Sequence, residues 1–130
     1  MSYKILIIDD DVEVTSVYKA LFKMRGFQVD VANTYKDASD KLSKNRYDVV
    51  LLDYILDEYN GLELLEKHQQ HINSNTAVII ISSIDDMEVL QEFKRYTNVY
   101  FIRKVDVKMF CFSSLIKTLR TLRGVIDDSN

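Results

Sequence analysis

Acidic side chains follow two apolar runs of this 130-residue chain. Asp9, Asp10 and Asp11 come directly after the run 5–8, and Asp53 follows the run 49–52. Clustered carboxylates repel one another unless a cation lies among them. Mg²⁺ prefers oxygen ligands and commonly takes one or two carboxylates together with a phosphate group. The sequence therefore predicts a Mg²⁺ site formed by these aspartates, although Asp11 is equally suited to cap a following helix.

An aspartate at the end of a buried strand can also act as a nucleophile and accept a phosphoryl group as an acyl phosphate. Asp53 is the candidate. Phosphoryl transfer needs positive charge at the phosphate oxygens and a hydrogen-bond donor close by. Lys104 and Ser82 follow two further apolar runs, 99–102 and 77–81, and offer both groups. We expect these three residues to form one phosphoryl-transfer site.

The elements that must position these residues are short apolar runs separated by segments of helical spacing. The runs 5–8, 49–52, 77–81 and 99–102 are rich in β-branched residues and lack polar alternation, which predicts strands buried on both faces of a parallel sheet. The segment 27–31 alternates apolar and polar residues, as an edge strand does. The pattern predicts an α/β fold with a doubly wound five-stranded parallel sheet in a three-layer sandwich. Ligands bind such sheets beyond the carboxyl ends of the strands.

Five amphipathic helices are predicted between and after these strands. In the first, which Gly26 ends, the inward residues are Val14, Val17, Tyr18, Leu21 and Phe22. The second begins at the capping box 34–37 and directs Ala38 and Leu42 inward. The remaining three are marked by Leu62, Leu65 and Ile72, by Met87, Leu90 and either Phe93 or Lys94, and by Phe112, Leu115, Ile116, Leu119 and Leu122.

Composition excludes several classes of protein. Seventeen Lys and Arg against twenty Asp and Glu give a net charge of −3, so we expect no direct nucleic-acid binding by this domain. Cys111 is the single cysteine, which excludes an internal disulfide or a cysteine-rich zinc site. No apolar run has the length of a membrane span or a signal peptide, so we expect no membrane association and a cytoplasmic location. His68 and His71 form a poor metal site and are interpreted as part of a solvated helix face.

In combination, these motifs resemble the receiver domain of two-component response regulators, which has a (βα)5 flavodoxin-like fold. The resemblance covers roughly residues 3–123, so residues 1–123 are interpreted as the receiver domain and 124–130 as a short tail or linker stub. The segment 7–11 is similar to the acidic pair of the family, and 51–53 is similar to its phosphoacceptor strand. The segments 81–83 and 101–104 are similar to those with the switch hydroxyl and with the aromatic switch residue and lysine.

The resemblance implies a role for each matching residue. Asp10 and Asp53 would bind Mg²⁺ directly, the Ile55 carbonyl would be the third protein ligand, and Asp9 would act largely through water. A sensor histidine kinase or a histidine phosphotransfer protein would phosphorylate Asp53. The domain would not be an enzyme, because it would assist only its own phosphorylation and dephosphorylation.

Ser82 and Phe101 would be the switch residues in this resemblance. Together they would change the face formed by the fourth helix, the fifth strand and the fifth helix. That face would bind an output partner, act on a fused output domain, or form a dimer.

Two positions depart from the family pattern. Val105 follows Lys104 where a proline is usual, and Asp57 stands where the family usually has a proline four residues after the phosphoacceptor. These departures leave one alternative open, a pseudo-receiver that acts as a phosphorylation-independent interaction module. A phosphatase of the haloacid dehalogenase type would need a second aspartate two residues after Asp53, where this chain has Ile55. A nucleotide-binding fold would need a glycine-rich loop after the first strand, which the sequence lacks. Both classes are therefore disfavoured.

Overall fold

Strands and helices alternate along the chain in the computed structural model, which describes residues 3–53, 55–56, 59–68, 76–82, 91 and 98–103. The described elements are β1 (Lys4–Ile8), α1 (Val12–Met24), β2 (Gln28–Ala32), α2 (Tyr35–Lys44), β3 (Val49–Asp53), β4 (Ile55–Leu56), β5 (Tyr59–Asn60), α3 (Gly61–Lys67), β6 (Ala77–Ser82) and β7 (Val99–Arg103). All five predicted strands are present. Apart from residue 91, the predicted fourth and fifth helices, and Cys111 with them, lie outside the described residues.

Five strands form one parallel sheet in the order β2-β1-β3-β6-β7. The order reverses direction at β1 and β3, which is the doubly wound arrangement predicted from the sequence. The alternating segment is indeed an edge strand, β2. The short strands β4 and β5 pair with each other in an antiparallel ladder directly before α3.

Each central strand directs alternate residues into two separate hydrophobic cores. Ile5 and Ile7 of β1 pack on the α1 side with Phe22, whereas Leu6 and Ile8 pack on the other side with Leu42 of α2. Leu64 and Leu65 of α3 belong to the second core. Burial on both faces explains why the polar residues of these strands stand only at their ends, and it confirms the three-layer arrangement.

The ends of α1 are defined by Asp11 and Gly26. The Asp11 carboxylate accepts hydrogen bonds from the backbone N–H groups of Glu13 (3.0 Å) and Val14 (3.3 Å), two of the donors that a helix start leaves unpaired. Gly26 has a φ of 88°, a left-handed conformation that glycine adopts without steric cost. The helix therefore ends directly before the predicted glycine, with Arg25 as its C-cap.

The prediction that Val17 faces the core is wrong, because its side chain is 59% exposed. Successive residues of a helix differ in direction by about 100°, and α1 is centred on Tyr18 and Phe22. Phe22 packs edge-on against Phe27 with ring centroids 5.1 Å apart, which fixes this orientation. Thr15, not Val17, completes the buried face.

His68 also differs from its prediction. It is only 3% exposed and does not lie on a solvated face. Its position four residues after Leu64 and three after Leu65 places it on the side of α3 that packs toward α2. There its Nε2 atom lies 2.7 Å from the hydroxyl of Ser39, so the polar ring is hydrogen-bonded within the protein. His71 lies outside the described residues.

Polar contacts hold the strands in register at the edge of the sheet where β1 and β3 begin. Lys4 and Asp48 exchange two hydrogen bonds of 2.8 Å, one of them from the Lys4 N–H to the Asp48 carboxylate. Tyr47 donates to Asp30 of β2 at 2.7 Å. Burial, reinforced by this bond to a carboxylate, raises the pKa of Tyr47 well above its ordinary value, so the phenol remains a donor. This register also determines which residues meet at the opposite edge.

Replacing Thr34 with alanine should lower the free energy of unfolding by about 1 kcal/mol. Thr34 precedes α2, and its hydroxyl accepts a hydrogen bond from the Asp37 N–H at 3.0 Å, as the capping box predicts. Urea denaturation would measure the loss, and Thr34→Ser, which keeps the hydroxyl, should retain nearly full stability. Equal stability of the alanine variant and the parent would show that this cap contributes nothing.

No helix within the described residues is both long enough and apolar enough to cross a membrane.

Candidate functional site

Three carboxylates meet at the carboxyl ends of β1 and β3. One oxygen from each of Asp9, Asp10 and Asp53 lies within 4.8 Å of the other two. The parallel register pairs Ile8 with Leu52, so the next residues, Asp9 and Asp53, follow at the same level of adjacent strands. Asp9 is buried, Asp53 is half-buried and Asp10 is exposed. The structure thus brings together three of the aspartates that the sequence predicted to share a metal site.

The backbone around Asp9 is held by the end of β2. Its N–H donates to the carbonyl of Ala32 at 3.1 Å, and its own carbonyl accepts from the side-chain amide of Asn33 at 2.8 Å. The Asp9 carboxylate accepts a hydrogen bond from the Asp11 N–H at 2.9 Å. These three bonds give the loop between β1 and α1 one conformation, which determines where Asp10 lies.

The acidic triplet is divided between two functions. Asp9 and Asp10 belong to the carboxylate cluster, whereas the Asp11 side chain caps α1. A carboxylate at a helix N-terminus is stabilised by the helix dipole. Asp11 is therefore explained by the fold alone and is not a member of the described cluster.

The donor atoms of the cluster fit a hard divalent cation. Ligand oxygens lie about 2.1 Å from Mg²⁺, so neighbouring ligands are roughly 3.0 Å apart and opposite ligands roughly 4.2 Å apart. Three oxygens that lie within 4.8 Å of one another could reach one such ion after small side-chain movements. The cluster contains neither histidine nor cysteine, and carboxylate oxygens favour Mg²⁺ over zinc. A cation would also relieve the repulsion among three negative charges.

The other predicted site residues are placed only through the backbone. Ser82 is the last residue of β6. Its neighbour Ile81 is paired with Asp53 of β3, so Ser82 lies at the same edge of the sheet as Asp53. Phe101 lies within β7 and Ile55 begins β4. The side chains of these three residues, and Lys104 and the Lys104–Val105 peptide as a whole, lie outside the part of the chain that the structure describes.

Asn33 and Thr15 contact the site region, and sequence reasoning did not find them. The Asn33 amide donates to the Asp9 carbonyl and also to the Thr15 hydroxyl, at 2.8 and 2.9 Å. The available signal was the position of Asn33 directly after a predicted strand, at the edge where ligands bind. Asparagine is common in loops for many reasons, so its position alone does not distinguish this role.

The chain belongs to the family of response regulator receiver domains, whose pattern matches residues 5–110. This match covers the five strands, the described helices and the carboxylate cluster.

Two relatives illustrate the range of proteins that contain such a domain. The chain is 34% identical over 108 residues to sporulation initiation phosphotransferase F of Bacillus subtilis. The aligned segment covers 82% of this chain and 86% of that protein. It is 39% identical over 80 residues to the transcriptional regulatory protein CpxR of Escherichia coli, and here the aligned segment covers 62% of this chain and 33% of that protein. The chain thus spans about a third of the length of the CpxR relatives that it matches.

Solved structures agree with the fold. A CheY-like response regulator receiver domain protein from Methanospirillum hungatei superimposes with a TM-score of 0.78 at 24% identity, covering 91% of this chain and 93% of that one. The receiver domain of a Francisella response regulator gives a TM-score of 0.73 at 28% identity, covering 92% and 97%. The fold of this chain is therefore the CheY-like, flavodoxin-like α/β sandwich.

Proposed function

We propose that this domain receives a phosphoryl group on Asp53 from a sensor histidine kinase or a histidine phosphotransfer protein, with Mg²⁺ bound. One observation carries the proposal: in a chain of the receiver family, Asp53 ends a central strand beside the carboxylates of Asp9 and Asp10. The family supplies the class of reaction, and the cluster supplies a nucleophile next to a candidate cation site.

In the proposed reaction, a carboxylate oxygen of Asp53 attacks the phosphorus of the donor phosphohistidine. The bond between phosphorus and the imidazole nitrogen breaks, an acyl phosphate forms, and the imidazole leaves with the electron pair of the broken bond. Asp10, Asp53 and the Ile55 carbonyl would hold Mg²⁺ directly, with Asp9 acting largely through water. Bound Mg²⁺ would supply positive charge that balances the negative charge of the phosphoryl oxygens.

The protein's own residues orient the reacting groups. Asp53 ends a strand that pairs with β1 over residues 49–52 and with β6 over residues 49–53, so its backbone is held in place and its carboxylate needs little reorganisation to react. Lys104 and Ser82 are proposed to contact the phosphate. The position of Ser82 at the end of β6, one residue past the partner of Asp53, supports this assignment.

The proposed output is a change in the surface around β7. Ser82 would move toward the phosphate, the Phe101 ring would turn inward, and the face between the fourth helix, β7 and the fifth helix would change its binding properties or form a dimer. The effector is proposed to be a separate partner or a fused output domain in the cytoplasm. The much greater length of CpxR relative to this chain supports an output that lies outside the domain. In this scheme the domain acts only on its own aspartate and is not an enzyme for other substrates.

Incubation with acetyl phosphate and Mg²⁺ tests the proposal by intact mass. We expect the mass of one phosphoryl group to be added, to disappear after hydroxylamine treatment, and to be absent when EDTA removes Mg²⁺. The hydroxylamine step identifies an acyl phosphate and excludes a serine or tyrosine ester. A chain that gains no mass from acetyl phosphate or from a phosphohistidine donor would instead be a pseudo-receiver that binds its partner without phosphorylation.

A further inference from the structure

We propose that Asn33, together with Thr15, is a positioning residue that aims Asp10 at the cation site. The inference rests on the proposed function, because it assumes that the carboxylate cluster binds Mg²⁺. Both residues lie outside the carboxylate cluster, Asn33 directly after β2 and Thr15 in α1.

The side-chain amide of Asn33 lies between two hydrogen-bond acceptors. Its nitrogen lies 2.8 Å from the Asp9 carbonyl oxygen and 2.9 Å from the Thr15 hydroxyl oxygen. A carbonyl oxygen can only accept a hydrogen bond, so the atom facing it must be the amide nitrogen. Both amide hydrogens are therefore committed, one to each partner.

The hydrogen bond from Asn33 to the Asp9 carbonyl also affects Asp10. The carbonyl of Asp9 belongs to the peptide unit that ends at the Cα atom of Asp10, and a peptide unit is planar. A hydrogen bond that orients this carbonyl also orients the plane, and with it the direction from which the Asp10 side chain leaves the backbone. The N–H of Asp9 is held separately by Ala32 at 3.1 Å. Ala32 thus holds the peptide unit before Asp9, and Asn33 holds the peptide unit between Asp9 and Asp10.

Thr15 connects the Asn33 amide to α1. Its side chain is buried, and its hydroxyl donates to the carbonyl of Val12 at 3.1 Å, which leaves the oxygen lone pairs to accept from Asn33. Thr15 thereby ties the Asn33 amide to the first turn of α1. The loop carrying Asp9 and Asp10 is held from the strand on one side and from the helix on the other.

This arrangement accounts for asparagine at position 33. Aspartate at this position would donate no hydrogen bond and would add a fourth negative charge close to the cluster. Serine has one hydrogen to donate and a shorter side chain, so it could not serve both acceptors. Residues that orient metal ligands in this manner typically change metal affinity by 10–100-fold when they are removed.

Mg²⁺ titration by calorimetry tests the inference on the full chain. Asn33→Ala should raise the dissociation constant for Mg²⁺ roughly tenfold. Thr15→Val should weaken binding in the same direction, and Thr15→Ser, which keeps the hydroxyl, should restore the parent value. In parallel, the Mg²⁺ concentration that half-saturates acyl phosphate formation should rise in Asn33→Ala, while the rate at saturating Mg²⁺ changes less.

Thr34→Ala is the matched control, since it removes a hydrogen bond from the adjacent residue and that bond is made to the first turn of α2. A similar loss of Mg²⁺ affinity in Thr34→Ala and Asn33→Ala would overturn the inference, because the effect would then follow general stability. If the parent binds Mg²⁺, unchanged affinity in a folded Asn33→Ala variant would overturn this inference and leave the proposed function standing. A parent chain that does not bind Mg²⁺ would overturn both this inference and the proposed function.

Discussion

Replacing Asp53 with asparagine should abolish the mass gain that acetyl phosphate and Mg²⁺ produce in the parent. An amide is a poor nucleophile toward phosphorus and cannot form an acyl phosphate, so no partial activity should remain. The substitution keeps the size of the side chain at the end of β3. It also removes one of three clustered negative charges, so the variant should be at least as stable as the parent without Mg²⁺.

Asp40→Asn provides the matched control for Asp53→Asn. Asp40 is exposed on α2, so its substitution makes the same chemical change away from the cluster and should leave phosphorylation intact. Circular dichroism would verify that both variants fold. A phosphoryl group that still appears on Asp53→Asn, and that hydroxylamine still removes, would assign the acceptor to another carboxylate.

Replacing Asp10 with alanine should weaken Mg²⁺ binding roughly a hundredfold, about 2.7 kcal/mol. Asp10 is the exposed member of the cluster, and a direct ligand should matter at least as much as the groups that orient it. The loss in Asp9→Ala should be smaller, because Asp9 is expected to act through water and its carboxylate already accepts the Asp11 N–H. Calorimetric titration of each variant would give the order.

The variant Asp11→Asn distinguishes the loss of a metal ligand from the loss of a nearby negative charge. Asparagine caps helices about as well as aspartate, so this variant removes a nearby charge while α1 keeps its cap. Its Mg²⁺ affinity should fall by much less than that of Asp10→Ala. The assignment of Asp10 would be wrong if Asp11→Asn or Asp57→Ala had the larger effect.

Much of the sheet and part of the site could be predicted from the sequence, since they depend on patterns local to each segment. Apolar runs without polar alternation identify strands buried on both faces, and parallel strands place the residues after them at one edge. Asp9, Asp10 and Asp53 could therefore be grouped before any distance was known. The N-cap at Thr34 and the end of α1 at Gly26 were also predictable, because each depends on backbone groups within a few residues.

The remaining features depend on contacts between segments distant in sequence, and only the tertiary structure decided them. Val17 is exposed because the rings of Phe22 and Phe27 determine how α1 rotates against the sheet. His68 is buried because α2 places Ser39 within hydrogen-bonding distance of its ring. Asn33 reaches Asp9 because the end of β2 lies beside the loop after β1. A one-dimensional pattern records the type and spacing of residues, whereas hydrogen-bond partners and helix rotation depend on which elements pack together.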